Sequence, residues 1–172
     1  MMRYIYRDLV SALEYLPFGL VLGLPIAMIL LCLLGCGGER KKGLKPMLPI
    51  AVYVVYLSIL LVITLFSRES GSSTGGMDME LFSTWGINTR NNAYVVENVL
   101  LFIPYGFICS WAFLWARNFL ACTLFGAATS VLVECLQLVT GRGFFQIDDI
   151  LTNILGTIVG FLVFWICRKK TA

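Results

Sequence analysis

The chain has 172 residues, 59% of them hydrophobic, and a mean hydropathy of +0.85, where a soluble domain is about 45–50% apolar. Its net charge is only +3 and no basic stretch is interleaved with aromatics, which excludes a nucleic-acid partner. It has no histidine, which removes the commonest general base and metal ligand.

The apolar excess gathers in long blocks, so the chain reads as all-α: a polytopic helical membrane protein with about five transmembrane helices and one membrane domain. The ten-residue alternating segments of a membrane barrel are absent from the sequence. Met1 to Tyr15 mixes charges with aromatics and reads as an interfacial lead-in. Pro17 to Gly35 is the first apolar run, with Pro17 suited to a first turn and Pro25 placed to kink it. Leu33 to Cys36 has the form of a lipoprotein cleavage box, but the basic residues after Cys36 oppose export of that side. Glu39 to Lys45 is a basic loop, and Pro46 to Phe66 is the second run. Residues 1–66 thus form an N-terminal two-helix part.

Residues 67–93 form a polar loop. Ser70 to Gly76 reads as linker. Met77, Met79, Leu81, Phe82 and Trp85 then suggest an amphipathic segment on the membrane surface. Residues 94–172 hold three further runs: Tyr94 to Trp115, Phe119 to Val139 and Ile147 to Cys167. Arg117-Asn118 is a tight link. Six cysteines, at 32, 36, 109, 122, 135 and 167, fall in or at the ends of apolar runs without a CxxC, as small buried hydrophobes do.

Five spans put alternate loops on opposite sides. One side carries eight basic residues (Arg40, Lys41, Lys42, Lys45, Arg117, Arg168, Lys169, Lys170) and one acid; the other carries five basic residues and nine acids. The positive-inside rule places the C-terminus in the cytoplasm and the N-terminus outside. The 67–93 loop and the turn at Arg142 then face outward.

That turn joins the fourth and fifth runs, and polar groups cluster around it: Glu134, Gln137, Arg142, Gln146, Asp148, Asp149 and Asn153. Ionisable groups at the edge of a membrane span are costly unless paired or watered, and by default mark a functional site. Residues three and four apart share a helix face. Ala127, Ser130, Glu134, Gln137 and Gly141 make one stripe; Asp149, Asn153, Gly156 and Gly160 make another. The two stripes can face each other across the hairpin. Asp148 and Asp149 sit in the first turn of the fifth helix, where the dipole favours anions. In the third run Asn98 reaches the same level, and Pro104 leaves the carbonyl of Leu100 without its helical donor. Asn98, Gln137 and Asn153 would also serve as interhelical hydrogen-bond glue. Arg142 would neutralise Asp148 and Asp149 in a structural network.

Three stretches carry a resemblance: ENVLLFIPYGF (97–107), ECLQ (134–137) and GRGFFQIDDILTNILG (141–156). They resemble the VanZ-like family of bacterial membrane proteins, with its N-x-x-x-F-x-P-x-G signature, its E-x-x-Q, and its Arg followed by closely spaced Asp and then N-x-x-G. The pattern falls on Asn98, Phe102, Pro104, Gly106, Glu134, Gln137, Arg142, Asp148, Asp149, Asn153 and Gly156. Gln146 departs from it, standing where an acid is expected. The family is named for a protein that lowers susceptibility to teicoplanin, so the resemblance implies a role in the cell envelope and a place in the bacterial cytoplasmic membrane.

Three functions compete. In the first, an outward polar pocket of Asn98, Glu134, Gln137, Arg142, Asp148, Asp149 and Asn153 binds a lipid-linked cell-wall precursor or the head of a lipoglycopeptide. Arg142 would take the phosphate or carboxylate. In the second, the protein is an enzyme on an envelope lipid or glycan. Glu134, Asp148 and Asp149 would then hold a divalent cation or act as an acid–base pair; no other cofactor is expected. In the third, the cluster only packs helices in a transporter or structural bundle, which at five spans would work as a homo-oligomer among membrane lipids.

Overall fold

The computed structural model describes residues 1–36, 47–66, 76–86 and 88–171. The basic loop at 39–45 and the linker at 70–75 lie outside the described residues. Five helices run in chain order: α1 (Met2–Cys36), α2 (Leu48–Phe66), α3 (Thr89–Ala112), α4 (Phe119–Val139) and α5 (Ile147–Thr171). Each is long and apolar enough to cross a membrane. Many of their large apolar side chains, above all those of α1 and α4, are exposed on the bundle surface, as expected where lipid rather than water is the neighbour.

Several element boundaries differ from the sequence expectation: α3 ends at Ala112, before Trp115, and α5 runs on past Cys167 to Thr171. The charged lead-in and the first apolar run form one continuous helix, α1, which carries Pro17 and Pro25 inside it. Helix α3 begins at Thr89, five residues before the apolar run, because Asn88 caps it: the Asn88 side chain accepts from the N–H groups of Arg90 and Asn91. Asn118 caps α4 in the same way through the N–H of Ala121.

Glycines set the helix contacts. A β-carbon at Gly19 would fall 2.7 Å from the Cα of Ile59, and one at Gly23 would fall 2.9 Å from the Cα of Val55, so α1 lies directly on the backbone of α2. The same device joins α3 to α5. A β-carbon at Gly106 would collide with the carbonyl oxygen of Thr157, one at Gly156 with that of Val99, and one at Gly160 with that of Ile103. Without a hydrophobic drive between helices in lipid, such close backbone approach is what associates them. The α5 stripe is therefore divided. Gly156 and Gly160 face α3, whereas Asn153 faces α4, where its Nδ2 donates to Ser130 Oγ at 2.9 Å. The expectation that the stripe faces α4 holds for Asn153 and fails for Gly156 and Gly160.

The core lies between α2, α3, α4 and α5. Tyr53, Leu60, Phe102, Tyr105, Cys109, Cys122, Val133 and Phe161 are buried there. The Tyr53 and Tyr105 rings lie 5.8 Å apart, and the Tyr53 hydroxyl donates to the Tyr105 hydroxyl. The Tyr56 hydroxyl donates to the carbonyl of Leu101. An acceptor one residue from the predicted Leu100, in the turn that Pro104 disturbs, thus receives a side chain from α2.

Residues 76–86, where an amphipathic segment was expected, are strand and turns. Strand β1 (Met77–Asp78) pairs in parallel with β2 (Phe145–Gln146), which directly precedes α5. Met77, Met79, Leu81, Phe82 and Trp85 are all exposed. The loop is thus stitched to the α4–α5 turn while its apolar side chains point away from it.

Candidate functional site

The α4–α5 turn is built by a glycine. Gly141 has φ +63°, open to glycine at little cost. Around it the N–H of Gly141 donates to the Leu138 carbonyl at 3.2 Å, and the N–H of Arg142 to the Gln137 carbonyl at 2.9 Å. These are the paired bonds of a Schellman ending, which satisfies the last carbonyls of α4. They also aim Arg142 back toward the end of α2.

Four of the expected residues meet there. Gln137 Nε2 donates to the Thr64 carbonyl at 3.1 Å, and Arg142 Nη1 to the Leu65 carbonyl at 3.1 Å. Both carbonyls lie in the last turn of α2, where no intrahelical donor remains and a cation is favoured by the dipole. The Arg142 guanidinium also stands over the Phe66 ring, 4.8 Å from its centroid. Glu134, 2% exposed, accepts from the N–H of Gln146 through Oε2 at 3.0 Å. Asn153 joins them from α5 through Ser130.

Asp148 has a use the sequence did not suggest. Its Oδ1 accepts from the N–H of Phe82 at 2.7 Å and its Oδ2 from the N–H of Thr84 at 2.9 Å. The carboxylate expected to pair with Arg142 clamps the 76–86 loop instead. Phe82 takes φ +63° to meet it, a left-handed conformation that costs a non-glycine residue about 1–2 kcal/mol. Asp149, 3% exposed, lies beside it in the first turn of α5.

Gln146 bonds the loop as well. Asp78 is held below the usual carboxylate range, mainly by the Ser83 hydroxyl, then by the Glu80 N–H, with the Gln146 side chain adding to the effect. An acid at 146 would repel Asp78 where the amide donates to it. An amide at 146, where an acid is expected, thus adds to the hydrogen bonding of Asp78.

Asn98 is half-buried on α3 at the level of Gly156, since its neighbour Val99 abuts that glycine. Its Nδ2 is buried and makes no hydrogen bond. Gln137 Oε1 and Asn153 Oδ1 share that condition, in side chains 2% and 3% exposed. Three amides of the cluster thus each present one buried polar atom without a partner among the described residues. Among the described residues no three acidic or thiol groups are placed to share a metal ion.

Two parts of this arrangement escaped the sequence reading. The clamp on the loop spans 64 and 66 residues of chain, and no local pattern announces it. The Gly19–Gly23 spacing in the first run is a sequence signal for the close-packed face on α2.

A family model described as VanZ/LLP1 matches residues 52–168, which takes in the whole polar cluster. No curated protein and no solved structure matches the chain.

Proposed function

The chain belongs to the VanZ/LLP1 family, and from that premise we propose that it is a multi-pass protein of the bacterial cytoplasmic membrane that lowers susceptibility to lipoglycopeptides such as teicoplanin. It does so through an outward polar pocket for an anionic head group, whether of the antibiotic or of a lipid-linked cell-wall precursor. The outward placement rests on the excess of basic residues at the other end of the bundle.

The observation that carries the reading is the trio of unpartnered amide atoms on Asn98, Gln137 and Asn153. A buried polar group left without a hydrogen bond costs about 1–3 kcal/mol. Such groups are rare in folded proteins, and strain, a functional role or a bound water or ion accounts for those that occur. Two acceptors and one donor suit the hydroxyls and amides of a sugar or peptide head. Arg142 stands at the same turn for its charged group. Asp148 has both oxygens bonded to loop amides, which favours binding over a reaction shared among the three carboxylates.

Asn98→Leu tests this, because Asn98 Nδ2 makes no hydrogen bond among the described residues, so its loss removes none that this atom gives the fold. In cells protected by the protein, Asn98→Leu and Arg142→Ala at wild-type membrane abundance are expected to lose roughly tenfold in protection, the equivalent of about 1.4 kcal/mol of binding. Full protection by Asn98→Leu would leave the amides as packing alone.

A further inference from the structure

A second site lies at the end of the bundle opposite the polar cluster, and it stands independently of the proposed function. There α3 and α5 part to form a groove lined by Phe107, Trp111, Phe164 and Cys167, with Arg117 and Arg168 at its rim. Its floor is firm: the Phe107 and Phe164 rings meet edge to face, 5.9 Å between centroids. Arg117 is fixed over it by the short 3-10 turn Trp115–Arg117, capped by Asn118, which separates α3 from α4.

Arg117 is half-buried, its Nε is fully covered, and that Nε has no hydrogen-bond partner among the described residues. No carboxylate among the described residues is bridged to it. A guanidinium in that state is costly. It is placed where an apolar helix face meets the basic end of the bundle, with Lys169 just beyond, its Nζ 3.7 Å from the centroid of the Trp165 ring.

We propose that this groove binds one acidic phospholipid, its phosphate held by Arg117 with Arg168 beside it and an acyl chain lying along Phe107, Trp111 and Phe164. The charge and the shape each select part of that ligand. A guanidinium fork takes phosphate oxygens by paired hydrogen bonds, and basic pockets between transmembrane helices are the known setting for acidic headgroups. The aromatic walls take a hydrocarbon chain. A zwitterionic lipid would fill the same walls but bring its own cation toward the two arginines.

Native mass spectrometry of the full chain released from detergent tests the assignment, with phosphatidylglycerol and phosphatidylcholine offered at equal concentration. Phosphatidylglycerol is expected to be retained about tenfold more. Arg117→Gln is expected to abolish that preference while Arg117→Lys keeps most of it. Phe164→Ala is expected to weaken retention of both lipids. Circular dichroism and thermal melting check that each variant is folded, and Arg168→Gln supplies a second charge variant away from the turn. Equal retention of the two lipids by the wild type would overturn the proposal. So would an unchanged preference in both Arg117→Gln and Arg168→Gln, or complete displacement of the lipid by millimolar inorganic phosphate.

Discussion

Gly160→Leu is expected to lower the apparent melting temperature of the detergent-solubilised protein by about 6 °C or more and to cut its yield in the membrane. A β-carbon at 160 would collide with the Ile103 carbonyl oxygen and fall 2.8 Å from the Phe107 amide nitrogen. Both are backbone atoms inside α3, so no rotamer change can relieve the clash. Overpacking costs about 1–3 kcal/mol where side chains can yield, and here the helices themselves must separate. At about 2–4 °C per kcal/mol for a chain of this size, 3 kcal/mol corresponds to the stated drop. Gly86→Ala is the informative control. It has φ +84° and nothing within 4 Å of its would-be β-carbon, so its cost is confined to backbone strain of about 1–2 kcal/mol. Equal melting of Gly160→Leu and wild type would mean that α3 and α5 are not packed backbone to backbone.

Asp148→Ala is expected to release the 76–86 loop without unfolding the bundle. Hydrogen bonds to a charged acceptor contribute about 1.5–3 kcal/mol each, and Asp148 accepts two of them, from Phe82 and Thr84. Removing both should speed hydrogen exchange of these two amides by about a hundredfold, since each 1.4 kcal/mol is a factor of ten. The amides of α3 should keep their protection. Asp148→Asn retains one acceptor oxygen and should fall between, at about tenfold. The left-handed backbone of Phe82 sharpens the expectation, because that strain persists only while the clamp opposes it. Exchange at Phe82 and Thr84 unchanged in Asp148→Ala would remove the clamp.

The five spans were legible because membrane helices declare themselves by length and hydropathy, without tertiary help. Helix α4 shows it: Phe119 to Val139 is the same span in the sequence and in the structure. Boundaries were less legible where a cap, not an apolar residue, starts the helix, as Asn88 does for α3. The polar cluster was legible as a set, since Glu134, Gln137 and Asn153 recur at helical spacing. Their partners were not. Gln137 and Arg142 bond the Thr64 and Leu65 carbonyls, and backbone carbonyls carry no residue-type signal. Helical period alone also could not say that Gly156 and Asn153, three residues apart, serve two different neighbours.

The loop of exposed apolar residues bears on how a head group would reach the cluster. Met77, Phe82 and Trp85 point away from the bundle while the loop backbone is bonded to Asp148 and paired with Phe145 and Gln146. A loop so placed sits directly beside Gln146, whose N–H bonds Glu134, and its exposed apolar side chains would suit the headgroup layer. It would present a membrane-anchored ligand to the amides of Asn98, Gln137 and Asn153 and to Arg142.

All of this requires the α4–α5 turn to lie outside the cell. Phe144, exposed in that turn, is the place to ask. Phe144→Cys, in a chain whose six native cysteines are replaced by alanine, is treated in intact cells with a membrane-impermeant maleimide. Labelling is expected before the cells are opened. Labelling only after permeabilisation would put Arg142 and the polar cluster on the cytoplasmic side and contradict the outward placement.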